Sequence, residues 1–151
     1  MSNYESYDEI FTVLTSCTNF SNKFFLFKDK EFDLNSSKHF YISIPIRKNE
    51  YILLVMFSSQ VKKVIRRYEL IGKGKDSLVF FKKNDLDFLT RDKSVVDCNN
   101  PTYCTCEKLA SKIDGKLSII ETEIDERIIT DLKSAIKRSP NVKDAIKNKF
   151  S

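Results

Sequence analysis

The chain has 151 residues, 41% of them hydrophobic and 31% charged, with a formal net charge of +5. That length and balance fit one soluble domain that buries its own core. No apolar run approaches the ~18–20 residues of a membrane span and no charged-then-apolar leader opens the chain, so cytoplasm is the expected location.

Residues 4–18 place Tyr7, Ile10, Phe11, Leu14 and Cys17 on one stripe at helical spacing, with Asp8 and Glu9 in the early turns. This predicts an N-terminal packing helix, broken at Asn19–Asn22. Phe24–Phe27 reads as a short strand and Lys28–Lys38 as a polar loop. His39–Phe57 then holds two β-branched and aromatic runs, Phe40–Ile46 and Tyr51–Phe57, around the polar connector 47–50. So short a break predicts an antiparallel hairpin. The first run alternates, so one face is buried and the other mixed. The second is apolar almost throughout, as a central strand covered on both faces would be. Pro45 cannot donate to a ladder, so the first strand is an edge there or ends there.

Val61–Ile71 fits neither period cleanly and reads as strand or helical turn, while Gly72–Asp76 is a turn. Ser77–Phe81 is a further strand, and another is centred on Ser94–Val96, with Asn99-Asn100-Pro101 closing the β region. Cys106, Leu109, Ala110 and Ile113 predict a short helix, and Leu117–Ile120 is either a last strand or the lead into the next helix. Ile120, Ile124, Ile128, Leu132 and Ile136 recur every four residues, a long amphipathic helix with a basic end. Ser139-Pro140 reads as N-cap and first position of a terminal helix burying Val142, Ile146 and Phe150. The expectation is one α+β domain: an N-terminal helix over 1–22, a β region over 23–100 forming a small, partly open antiparallel barrel, and a helical part over 101–151.

Charge is uneven along this order. Residues 1–40 sum to −2, residues 41–91 to +6 and residues 92–151 to +1. A surplus confined to the middle third invites a polyanion, RNA or DNA. Lys62, Lys63, Arg66 and Arg67 crowd one short region, Lys73 and Lys75 follow, and Tyr41, Tyr51 and Tyr68 are candidates for stacking on bases. The bland alternative is a lysine-rich face that only keeps the chain soluble.

The four cysteines, Cys17, Cys98, Cys104 and Cys106, lack the paired C-x2-C spacing of structural zinc sites and read as reduced, partly buried thiols. Gly72-Lys73-Gly74-Lys75 is not a P-loop, and there is no nucleophile elbow and no dinucleotide fingerprint. No metal and no cofactor are expected.

Four stretches, KHFYISIPI, YILLVMFSSQ, DSLVFFKKNDLDFLTRDKSVVDCN and IIETEIDERIITDLKSAIKRS, resemble in their order the MazF/Kid/PemK group of toxin endoribonucleases, in the divergent branch carried on mobile elements. The likeness covers about Lys38–Ser139. It implies an SH3-like barrel, often a homodimer, that cuts single-stranded RNA without metal and is held in check by an antitoxin. The family's transition-state arginine would fall on Lys38 or His39, and its catalytic hydroxyl on Ser58 or Ser59. Such cleavage uses the ribose 2′-OH as nucleophile and needs a proton acceptor, a proton donor and positive charge on the phosphorane. His39, the one histidine, is the best acid/base candidate, with Lys38, Arg66 or Arg67 to neutralise charge. The alternatives are a non-catalytic nucleic-acid-binding barrel and a protein-docking module, such as a subunit of a phage-defence or mobile-element system. On those readings His39, Ser58 and Ser59 are ordinary polar groups at strand ends.

Overall fold

The computed structural model of the chain describes residues 2–4, 23–27, 39–44, 46, 51–86, 89, 91–105, 117–121 and 125–149. Among these residues seven strands form one sheet: β1 (Ser2–Tyr4), β2 (Lys23–Phe27), β3 (His39–Ile44), β4 (Tyr51–Ser58), β5 (Leu78–Lys82), β6 (Lys93–Thr105) and β7 (Leu117–Glu121). Their spatial order is β1-β7-β2-β3-β4-β6-β5. Every neighbouring pair is antiparallel. Two longer helices, α1 (Val61–Ile71) and α2 (Glu126–Arg138), and a short α3 (Asp144–Lys147) accompany them. The fold is mixed α and β with an open sheet. The edges β1 and β5 do not pair among the described residues, so the small barrel expected from the sequence is not closed.

The hairpin forms where the two runs placed it. Tyr41 to Ile44 pair in register with Met56 to Leu53, and β3 ends at Ile44, immediately before Pro45, without being an edge. Leu53, Val55 and Phe57 face one side with Ile42 and Ile44, and α2 covers that side with Ile129, Leu132, Ala135 and Ile136. Burying each of these aliphatic side chains contributes on the order of 1.5–3 kcal/mol, less for Ala135. The opposite side is covered over β5 and β6 by α1, whose Val64 and Tyr68 pack on Leu78 and Val95.

Three expectations fail for identifiable reasons. The β region does not close at Asn99-Asn100-Pro101, because β6 runs on to Thr105. Between the pairs Met56↔Asp97 and Leu54↔Thr102, β4 has one residue where β6 has four. Pro101 lies in that irregular stretch, where its missing N–H costs no ladder bond. The helix read from Ile120 onward starts only at Glu126. Ile120 is claimed by β7, which pairs with both β1 and β2, and Asp125 supplies the N-cap by accepting from the Arg127 N–H at 2.9 Å. Ser139 does not open the last helix. It is the C-cap of α2, its hydroxyl accepting from the Asn141 N–H at 3.1 Å, and α3 begins five residues later. Val142 and Ile146 still pack on the core.

At the N-terminus, Tyr4 belongs to strand β1 and pairs with Leu117. The rest of the expected first helix, the short helix near Cys106, and Phe150 lie outside the described residues.

Candidate nucleic-acid interface

Helix α1 settles the ambiguous Val61–Ile71 segment. Val61, Val64, Ile65 and Tyr68 recur at i, i+3, i+4 and i+7 and turn toward the sheet. Gly72, at φ 83°, ends the helix in the left-handed conformation, its N–H donating to the Tyr68 carbonyl at 2.9 Å. At the other end Gln60 is the N-cap and gives the helix no side-chain hydrogen bond.

With that face buried, the cations are turned outward. Lys62, Lys63, Arg66 and Arg67 are exposed, and Lys63, Arg66, Arg67 and Leu70 form one outer stripe at i, i+3, i+4 and i+7. Leu70 is 75% exposed at its C-terminal end. Against these four cations the helix carries one acid, Glu69. Glu69 lies 3.9 Å from Lys75, an exposed pair of small energetic weight. Lys73 is exposed in the turn beyond.

Beneath α1 lies a connected polar network. The Tyr68 hydroxyl donates to Asp97 Oδ2 at 2.5 Å. Asp97 Oδ1 accepts from the Asn99 N–H at 3.0 Å and from Asn99 Nδ2 at 3.2 Å. The Arg67 guanidinium reaches the other carboxylate oxygen at 3.8 Å, which ties one of the exposed cations to the buried acid. Asn99 Nδ2 also donates to the Gly74 carbonyl at 2.8 Å, and the Ser139 hydroxyl donates to Asn99 Oδ1 at 2.6 Å. Asn141 completes the set by donating to the Lys73 carbonyl at 3.3 Å. Each bond satisfies a buried or half-buried group, so the network fixes α1, the turn after it and the end of α2 to one strand. Burial first, then the bond to Asp97 and its negative charge, push the Tyr68 hydroxyl well above its ordinary pKa, with Arg67 opposing. Burial pushes the neighbouring Cys98 thiol up to about 12, helped by the Asp97 charge and opposed by Arg138. Neither group is poised for proton transfer near neutrality.

The residues singled out from sequence divide into three groups. Lys62, Lys63, Arg66, Arg67, Lys73 and Lys75 come together on and just after α1. His39 and Ser58 lie at one end of the sheet. The register Tyr41↔Met56, continued by two residues, sets His39 level with Ser58, and Ser58 pairs with Val95 on the other side. The Ser58 hydroxyl accepts from the Gln60 N–H at 3.1 Å as the chain turns into α1, and Ser59 is exposed in that turn. Lys38 lies outside the described residues.

Tyr41 is a correction. It is 4% exposed and Tyr68 5%, so both belong to the interior and neither offers a ring for bases to stack on. One aromatic that the sequence reading did not single out is exposed instead. Phe80 on the edge strand β5 is 52% exposed. Four consecutive apolar residues follow Ser77, so no alternation marks the outward face, and the exposure of Phe80 depends on β5 lying at the sheet edge.

No family model, curated protein or solved structure matches the chain. Among the described residues no three of the metal-ligating kind come together. Cys98 is buried and free, while Cys17 and Cys106 lie outside those residues. No described helix is long and apolar enough to cross a membrane.

Proposed function

We propose that this protein binds nucleic acid, RNA in the first place, through the outer face of α1. The observation that carries the reading is that four cations and a single acid lie on one 11-residue helix whose other face is buried. A solubilising lysine face has no need of this concentration, nor of an arginine held to a buried carboxylate. Phosphate contacts by these side chains release counterions, so binding weakens steeply with salt.

The test is anisotropy titration of a labelled mixed-sequence RNA at several salt concentrations. Four phosphate contacts give a slope of log K against log salt near −3 for a single strand. Replacing Lys62, Lys63 and Arg66 together by Gln should remove most of that slope and lower affinity at least a hundredfold at low salt, with the thermal melt retained because these three side chains are exposed and Arg67, which reaches the buried Asp97 carboxylate, is left in place. Affinity indifferent to both salt and substitution defeats the reading.

A second reading is favoured by one juxtaposition, that of His39 and Ser58 at the sheet end that leads into α1. On it the chain is a toxin-like, metal-independent endoribonuclease controlled by an antitoxin, with the SH3-like barrel and possible homodimer of the MazF/Kid/PemK resemblance. His39 exchanges the proton, Lys38, Ser58 or Ser59 holds the phosphate, and the α1 cations hold the flanking strand. Cleavage of RNA in excess EDTA, lowered ~10²–10⁴-fold by His39→Ala, is the expected result. Binding without cleavage leaves the first reading alone.

A further inference from the structure

The β5–β6 hairpin carries an exposed constellation that the α1 reading does not use. Directly paired residues in an antiparallel sheet share a face, so Ser58, Val95 and Phe80, paired in turn across β4, β6 and β5, form one row. Val95 packs under α1, which fixes the row on the α1 side of the sheet. Phe80 ends the row at the sheet edge, half exposed. Two residues further along, on the same face, Lys82 is paired directly with Lys93, and both are exposed.

Like charges set opposite each other across two strands repel and destabilise the pair. Neither lysine makes an ion pair with a described residue. The nearby Asp85 carboxylate is engaged with the Lys82 backbone N–H at 2.7 Å. An exposed ring beside two ammonium groups that form no ion pair with a described residue matches the two parts of a nucleotide in an unpaired strand, a flat base and a phosphate.

We propose that Phe80, Lys82 and Lys93 form a nucleotide-docking platform. An unpaired base stacks on the Phe80 ring and the adjoining phosphate lies between the two lysines. The inference rests on the nucleic-acid reading and narrows it to a strand with accessible bases, because a duplex hides the faces that Phe80 would cover. Neighbouring strands are ~4.8 Å apart, so Phe80 lies two strands, ~10 Å, from Ser58, with the Val95 covered by α1 between them.

The experiment compares a labelled single-stranded RNA of about 12 nucleotides with the same sequence as a duplex, on the full chain. The variants are Phe80→Ala, Phe80→Tyr, the pair Lys82→Gln and Lys93→Gln, and the triple α1 variant of Lys62, Lys63 and Arg66. Expected are preference for the single strand, loss of about fivefold or more for Phe80→Ala with Phe80→Tyr retaining affinity, and a salt slope shallower by about 1 for the lysine pair. Thermal melts of the Phe80→Tyr and lysine-pair variants should be no lower than that of the unaltered protein, since both lysines are exposed and their removal relieves the repulsion between them. Normal affinity in Phe80→Ala, in a protein whose binding the α1 variant abolishes, overturns the platform and leaves the α1 reading standing. No binding by the unaltered protein overturns both. A dimer that Phe80→Ala converts to monomer, with RNA affinity unaltered, assigns the ring to a second copy and overturns the platform as well.

Discussion

Asp97 shows how far one side chain can organise its surroundings. It is 5% exposed, yet it serves Tyr68, Asn99 and Arg67 at once. The sequence marks it only as an acid after two valines, since its partners lie 29 residues away in the case of Tyr68. The consequence for pH follows from the two groups beside it. Folding raises the pKa of both Tyr68 and Cys98, so both bind their protons more tightly in the native state. In the unfolded chain the thiol ionises near ~8.5 and the phenol near ~10. The stabilisation is complete below ~8.5 and is lost as pH rises toward the folded value of about 12 for Cys98 and higher for Tyr68. The urea midpoint should therefore hold steady through neutrality and fall between about pH 9 and pH 12, and Cys98→Ala should remove the earlier part of the fall.

Among the elements, those with a clean period were legible and those whose fate depends on distant partners were not. The β3–β4 hairpin follows from two apolar runs and a short break. In α1 an i, i+3, i+4, i+7 set was present in Val61, Val64, Ile65 and Tyr68, but all four are β-branched or aromatic residues of the kind that also suits a strand. Ile120 satisfied a helical period that the pairing of β7 with β1 and β2 overrode. Of the candidate site, the cations were visible as a cluster, while the exposure of Phe80 and the burial of Tyr41 depend on which strand ends up at the edge. The turn between α1 and β5 offers a comparison of two glycines. Both have positive φ, 83° at Gly72 and 102° at Gly74. A Cβ at Gly72 meets nothing within 4 Å, whereas at Gly74 it collides with Asn141 Nδ2 and lies 2.6 Å from Asn99 Oδ1. Gly72→Ala should cost about 1 kcal/mol from backbone strain. Gly74→Ala should cost about 2–3 kcal/mol or more, because it also displaces the asparagines of the network. Chemical denaturation of the two variants side by side measures the difference.

At the scale of the whole molecule, β7 lies between β1 and β2 although the chain makes it after all the other strands. Ser2 pairs with Ile119, more than a hundred residues away, and Phe25 with both Tyr41 and Ile119. This makes the fold a matter of timing. As the polypeptide leaves the ribosome, β2 can pair with β3 early, but its other side stays an unpaired edge until residues 117–121 emerge. β1 has no partner among the described strands in that interval. Closing so long a loop is slow, so pulse-labelled hydrogen exchange during refolding should protect the amides of β3, β4 and β6 first and those of β1 last. A nascent chain halted before Leu117 would present the edge of β2 to its neighbours, and the protein's exposure to aggregation would end only when its last strand is inserted.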